Sequence, residues 1–200
     1  MKSEEKKMNV SCDFDNRIIY LYDEINSESC GYICENILKM VSEDDLKEKS
    51  EKNSQRKTIH IMINSRGGTV PDAFAIINII RTSKTPICTY AVGSCSSCAV
   101  LILIAGHYRC AYPYSKMMIH QASGRTDLIE LKKLKEYAKN IENDQIVVNN
   151  FIISRTKISS NLLKKIYNNV TDYYISPTEA LELGCIDGIM KTIDELTDNK

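Results

Sequence analysis

No net charge, no bilayer-length apolar run and no linker mark this sequence, and each absence removes a class of reading. Its 26 lysines and arginines balance 26 aspartates and glutamates, so whole-chain electrostatics make no case for a nucleic-acid or anionic-membrane partner. No apolar stretch approaches the roughly 20 residues of a transmembrane helix. The segment from Met1 to Met8 is charged and lacks a signal-peptide core, which makes the cytoplasm the expected location. Only 4 prolines and 8 glycines are scattered through 200 residues. The chain therefore reads as a polar, mobile tail over 1–16 followed by one domain over 17–200. The eight cysteines are spread along the chain, and reduced, mostly buried thiols are the simplest reading. Cys95 and Cys98 belong to a serine turn rather than to a metal knuckle. No Gly-Lys-Ser/Thr follows the one paired-glycine turn, so a Walker-type phosphate loop is excluded.

What is present is an alternation of strands and helices. Arg17 to Tyr22 reads as a first strand, and Ser29 to Val41 spaces Ile33, Ile37, Leu38 and Val41 as an amphipathic helix. Ser42 to Lys57 is almost wholly charged and reads as a solvated helix end and loop. Thr58 to Asn64 is a β-rich run that stops at Ser65-Arg66-Gly67-Gly68, after which Thr69 can cap a helix with the apolar stripe Ala73, Ile76, Ile77 and Ile80. Ile87 to Val92 repeats the pattern: strand, then the turn Gly93-Ser94-Cys95-Ser96-Ser97-Cys98-Ala99, then an apolar helix that Gly106 can end. Strand, turn, helix, twice in succession, is the signature of parallel βα units, whose functional groups gather at the C-terminal ends of the strands. Tyr108 to Tyr112 reads as hairpin-like, and Lys116 to Ile119 delivers His120 at a strand end. A long helix follows from Leu128, with Leu131, Leu134, Ala138, Ile141, Val148 and Ile152 at helical spacing and Gln145 interrupting them. A short helix over Ser160 to Asn168 leads to Asp172, and Ser176-Pro177-Thr178-Glu179 reads as a capping box.

Three of these features combine into chemistry. Ser97 sits at a helix start, where the amide of Cys98 points outward, and Gly67 or Gly68 offers a second outward amide from the neighbouring turn; two such donors make an oxyanion hole. His120 could accept the serine proton, and Asp172 could fix the imidazole tautomer. Each has a plainer alternative. Ser97 could be a helix cap, as could Ser94 or Ser96, and Asp172 could simply place negative charge near the helix that starts at Pro177. His60 lies inside a strand and His107 beside a helix end, which leaves His120 as the base by elimination.

The stretches Ile63 to Gly68, Gly93 to Ala99, Met118-Ile119-His120-Gln121 and Asp172 to Ala180, in this order, resemble successive motifs of the ClpP family, the proteolytic subunits of Clp proteases. The similarity runs from about Arg17 to about Ile193. It implies the ClpP/crotonase-like α/β fold, built of repeated ββα units with a protruding long-helix handle. It also implies Ser97 as nucleophile, His120 as general base, Asp172 as its orienter, and Gly67 and Cys98 as the oxyanion-hole amides. The activity implied is a serine endopeptidase cleaving peptides or unfolded polypeptides inside a homo-oligomeric ring, a heptamer or tetradecamer, fed by an ATP-dependent AAA+ unfoldase; no cofactor is implied. The family usually has proline where Arg66 stands and glycine where Ala99 stands, and it carries a longer glycine-rich strand where this chain has only Gln121 to Asp127. Those departures motivate a second reading, a non-catalytic ring subunit that assembles with an active paralogue. A crotonase-type acyl-CoA enzyme, using the same amides without a serine, is a third.

Overall fold

In a computed structural model, residues 8–51, 54–124, 126, 130–169 and 172–191 are described. Alternation of apolar side chains along two strands, β3 (Ile59–Ser65) and β4 (Ile87–Ser96), builds the centre. Ile59, Ile61, Ile63, Ile87, Ala91 and Cys95 join the main core, while Met62, Cys88 and Tyr90 point the other way into a smaller cluster. The period of two is what a sheet with apolar material on both faces requires.

Around this pair, β2 (Ile18–Leu21) runs parallel to β3, and β5 (Tyr108–Ala111) runs parallel to β4. A last short strand, β8 (Gly188–Ile189), extends the sheet in parallel beyond β5. The segment Tyr108 to Tyr112 is thus an interior strand and not part of a hairpin, because it pairs in parallel on both sides, with β4 and with β8. At the other edge β1 (Val10–Asp13) pairs antiparallel with β2. Val10 is buried there, so residues 10–13 of the stretch expected to be tail belong to the sheet; residues 1–7 lie outside the described residues.

The branch in β4 positions the site. Cys88 to Ala91 pair with β5, but Ser94 to Ser96 pair with β6 (Lys116–His120), which in turn pairs antiparallel with β7 (Asp172–Ile175). At the branch the β3–β4 register shifts between Ile63 and Ser65, and the Asn64 side chain fills the gap by accepting from Ser94 N at 2.9 Å. A Cβ on Gly93 would stand 2.7 Å from that Asn64 oxygen, so a side chain there would push the Asn64 amide off Ser94 N.

Helix α3 (Cys98–Ala105) follows the branch directly, and all of its residues are buried. Helix α2 (Val70–Thr82) packs beside it with Ala73, Ile76, Ile77 and Ile80 inward; Thr69 caps it by accepting from Asp72 N. Helix α1 (Ser27–Ser50) runs a further two turns into the charged stretch expected to be a helix end and loop, and that stretch is not merely solvated. Asp44 is 4% exposed; it accepts hydrogen bonds from Arg17 Nη2 and Thr85 Oγ1, both at 2.7 Å. Arg56, on the following segment, pairs with Asp45 and Glu48. Helix α4 (Leu131–Arg155) is the long handle, and of its residues only Val148 and Ile152 are buried. Leu131 and Leu134, expected on the apolar stripe, are exposed, because the N-terminal part of α4 stands away from the body. Helix α5 (Ser160–Asn169) and helix α6 (Pro177–Glu182) complete the described structure. Ser176 caps α6, but Glu179 accepts from the Tyr173 hydroxyl instead of closing the capping box.

Candidate active site

Ser97 separates β4 from α3 and takes φ 55° and ψ −127°, a region that residues bearing a side chain seldom occupy. Its amide is fixed by donating to the Met118 carbonyl of β6 at 2.7 Å. Its side chain makes no capping hydrogen bond to α3, which removes the helix-cap reading. Instead the Ser97 hydroxyl lies 2.8 Å from His120 Nε2, within reach of donating to it when the imidazole proton is on Nδ1. Such a strained strand-to-helix turn, with the hydroxyl turned to an imidazole, is how a serine is presented for attack.

The other histidines are engaged elsewhere. His60 Nδ1 and the Tyr90 hydroxyl are 2.9 Å apart, and burial, with Arg17 nearby, pushes the His60 pKa down. His107 Nδ1 accepts from Ile87 N at 3.0 Å. Asp172 is the register partner of His120 across the β6–β7 ladder. Residues so opposed share a sheet face with Cβ atoms about 5 Å apart. The Asp172 carboxylate is nevertheless exposed, and the hydrogen-bond geometry between it and His120 is not closed in this structure. The serine and histidine are therefore brought together, and the aspartate is placed beside them.

The two expected amides fare differently. Gly67 is buried, has φ +98°, and donates its N–H to Ser65 Oγ at 3.1 Å, so this amide is already used. Ser65 Oγ in turn donates to the Asp23 carbonyl at 2.6 Å. Gly68, one residue on, is exposed and lines a cavity of about 520 Å³ together with Ser97, Cys98 and His120. Its backbone is pinned by Ile25: a Cβ there would come within 1.9 Å of the Ile25 carbonyl oxygen, so only glycine fits. Burial pushes the Cys98 thiol pKa up. Cys98 N–H belongs to the first turn of α3, whose amides have no partner inside the helix. Of the two glycines it is Gly68 that shares the cavity lining with Ser97 and Cys98, whereas Gly67, expected beside Cys98, is buried with its N–H turned to Ser65.

Further groups around the cavity have no motif to announce them. Leu101, Ile119, Val148 and Ile152 make its apolar base. Gln145 on α4 accepts from Ala122 N at 2.6 Å, which ties the segment after His120 to the handle. Its one signal in the sequence is that it interrupts an apolar stripe. Ala99, which stands where the family usually has glycine, is fully buried in the first turn of α3, and the helix starts at Cys98 regardless.

The site's parts come from β3, β4, β6, β7 and α4, and comparisons with known proteins cover all of them. The Clp protease family profile matches residues 2–193. The ATP-dependent Clp protease proteolytic subunit 1 of Shouchella clausii (strain KSM-K16) is 32% identical over 177 residues, covering 88% of this chain and 85% of that protein. Proteolytic subunit 3 of Synechococcus sp. (strain CC9605) is 30% identical over 182 residues, covering 90% and 84%. In three dimensions a mutant ClpP1 from Listeria monocytogenes superposes with a TM-score of 0.76 at 25% identity, covering 92% of this chain and 96% of its own. The match spans every element that carries the serine turn, the histidine strand and the handle, and the chain belongs to the Clp protease family.

Proposed function

We propose that this chain is a serine endopeptidase of the Clp type in which Ser97 is the nucleophile and His120 the general base. The observation that carries the reading is the 2.8 Å contact between Ser97 Oγ and His120 Nε2 beside an open cavity. As Oγ attacks a peptide carbonyl carbon, Nε2 takes its proton, and the carbonyl oxygen becomes an oxyanion between the amides of Gly68 and Cys98. Collapse of the tetrahedral intermediate breaks the C–N bond, and His120 returns the proton to the leaving amine. A water then attacks the acyl-enzyme with its proton going to His120, which restores Ser97 Oγ–H and releases the carboxylic acid. Asp172 orients His120 through Nδ1 after a small adjustment of the β6–β7 ladder, whose register already sets the two residues opposite each other. The working particle is a homo-oligomeric ring, heptamer or tetradecamer, receiving peptides or polypeptides opened by an AAA+ unfoldase, in the cytoplasm. Exposed apolar residues along α4, among them Ile146, Val147 and Ile153, support burial of the handle between subunits.

A second reading has a specific observation in its favour. The His120–Asp172 distance left open, together with Arg66 on the glycine turn, suits a non-catalytic ring subunit paired with an active paralogue. Labelling with a fluorophosphonate separates the two. The proposal predicts one adduct per chain, mapped to Ser97 and absent from Ser97→Ala. Folded protein that stays unlabelled, while a control serine peptidase labels, contradicts it.

A further inference from the structure

The cavity beside Ser97 is apolar at its base, yet its charge is one-sided. Helix α4 supplies one wall through Tyr137, Ile141, Asp144, Val148 and Ile152, residues three and four apart that share a helix face. Asp144 is the single carboxylate in that stripe. It is partly buried and has neither a hydrogen bond nor an ion pair among the described residues. Glu24 is the other carboxylate of the lining, and among the described residues no lysine or arginine lines the cavity. Asp144 is also near enough to Cys98, the residue after Ser97, to raise the pKa of its thiol, though less than burial does. A partly buried carboxylate without a protein partner, set beside apolar side chains, is complementary to a cation that enters the cavity with an apolar stem.

We infer that Asp144 sets the substrate class of this site, selecting peptides whose residue on the acyl side of the cleaved bond is lysine or arginine. The long side chain lays its methylene stem on Leu101, Val148 and Ile152 and brings its charged end to Asp144. Side chains of this kind put stem and head in different environments. The volume of about 520 Å³ accommodates a residue of that length. This inference rests on Ser97 as nucleophile.

The test uses the full chain and two peptidyl diphenyl phosphonates that differ only in carrying lysine or norleucine at that position, with labelling followed by intact mass. Wild type should label with the lysine probe about five to ten times faster than with the norleucine probe. Asp144→Asn should bring that ratio near one, chiefly by slowing the lysine probe, and Asp144→Glu should restore a lysine preference. A ratio near one in wild type, or a lysine preference that survives in Asp144→Asn, overturns the role of Asp144 and leaves Ser97 standing. Labelling by neither probe overturns the nucleophile reading and this inference with it.

Discussion

Ser97 can hold its strained backbone only because its surroundings leave it no alternative. Met118 fixes its amide, and Gly67 presses against it so closely that a Cβ at that glycine would be 2.6 Å from the Ser96 carbonyl oxygen and 2.8 Å from Ser97 Cβ. Gly67→Ala should therefore destabilise the fold by about 1–3 kcal/mol and slow acylation of Ser97 at least tenfold. Thermal unfolding and the rate of fluorophosphonate labelling measure the two effects, and an alanine variant that labels at the wild-type rate would show that the turn is looser than its geometry implies. At this scale the sequence was informative about Ser97 and His120, since one lies in a glycine- and serine-rich turn and the other is the one histidine at a strand end. It was not informative about which of the two glycines faces the cavity. That choice depends on Ser65 reaching the Asp23 carbonyl and on Ile25 pinning Gly68, contacts made far along the chain from the turn itself.

Elements differ in how openly they show themselves. Helices α2 and α6 carry local caps, Thr69 and Ser176, and both were legible. The second half of α1 was not, because a run of charged residues gives no apolar period, and its anchoring ion pair joins Asp44 to Arg17 across 27 residues. This pair is nearly dry on both sides, with side-chain exposures of 9% and 4%. Removing one partner would strand a buried charge, so Asp44→Ala should cost about 3–5 kcal/mol. Asp45→Ala should cost less than about 1 kcal/mol, since Asp45 is half exposed and Glu48 still holds Arg56. Urea denaturation of the two variants measures the difference, and equal effects would mean that the Arg17–Asp44 pair has little structural weight. The same local blindness explains β5: four residues that look like one arm of a hairpin are claimed by β4 and β8 from either side.

For the molecule as a whole, the parallel sheet and the buried α3 were foreseeable from two successive strand–turn–helix units, whereas the branch of β4 was not. The branch is what carries His120 and Asp172 to Ser97, because β6 attaches to the last three residues of β4 and β7 attaches to β6. The handle is the other feature that makes sense only at this scale, with apolar side chains exposed along it and one face lining the cavity beside the serine. Clp protease family membership accounts for the architecture, and the open question of function reduces to whether this copy of the architecture turns over peptide bonds. Hydrolysis of a fluorogenic peptide by the purified chain, compared with Ser97→Ala at equal concentration and fold, tests that most directly. The account predicts steady turnover that falls by roughly 10⁶, to the background rate, in the variant. A rate that is zero in both, or the same in both, would contradict it.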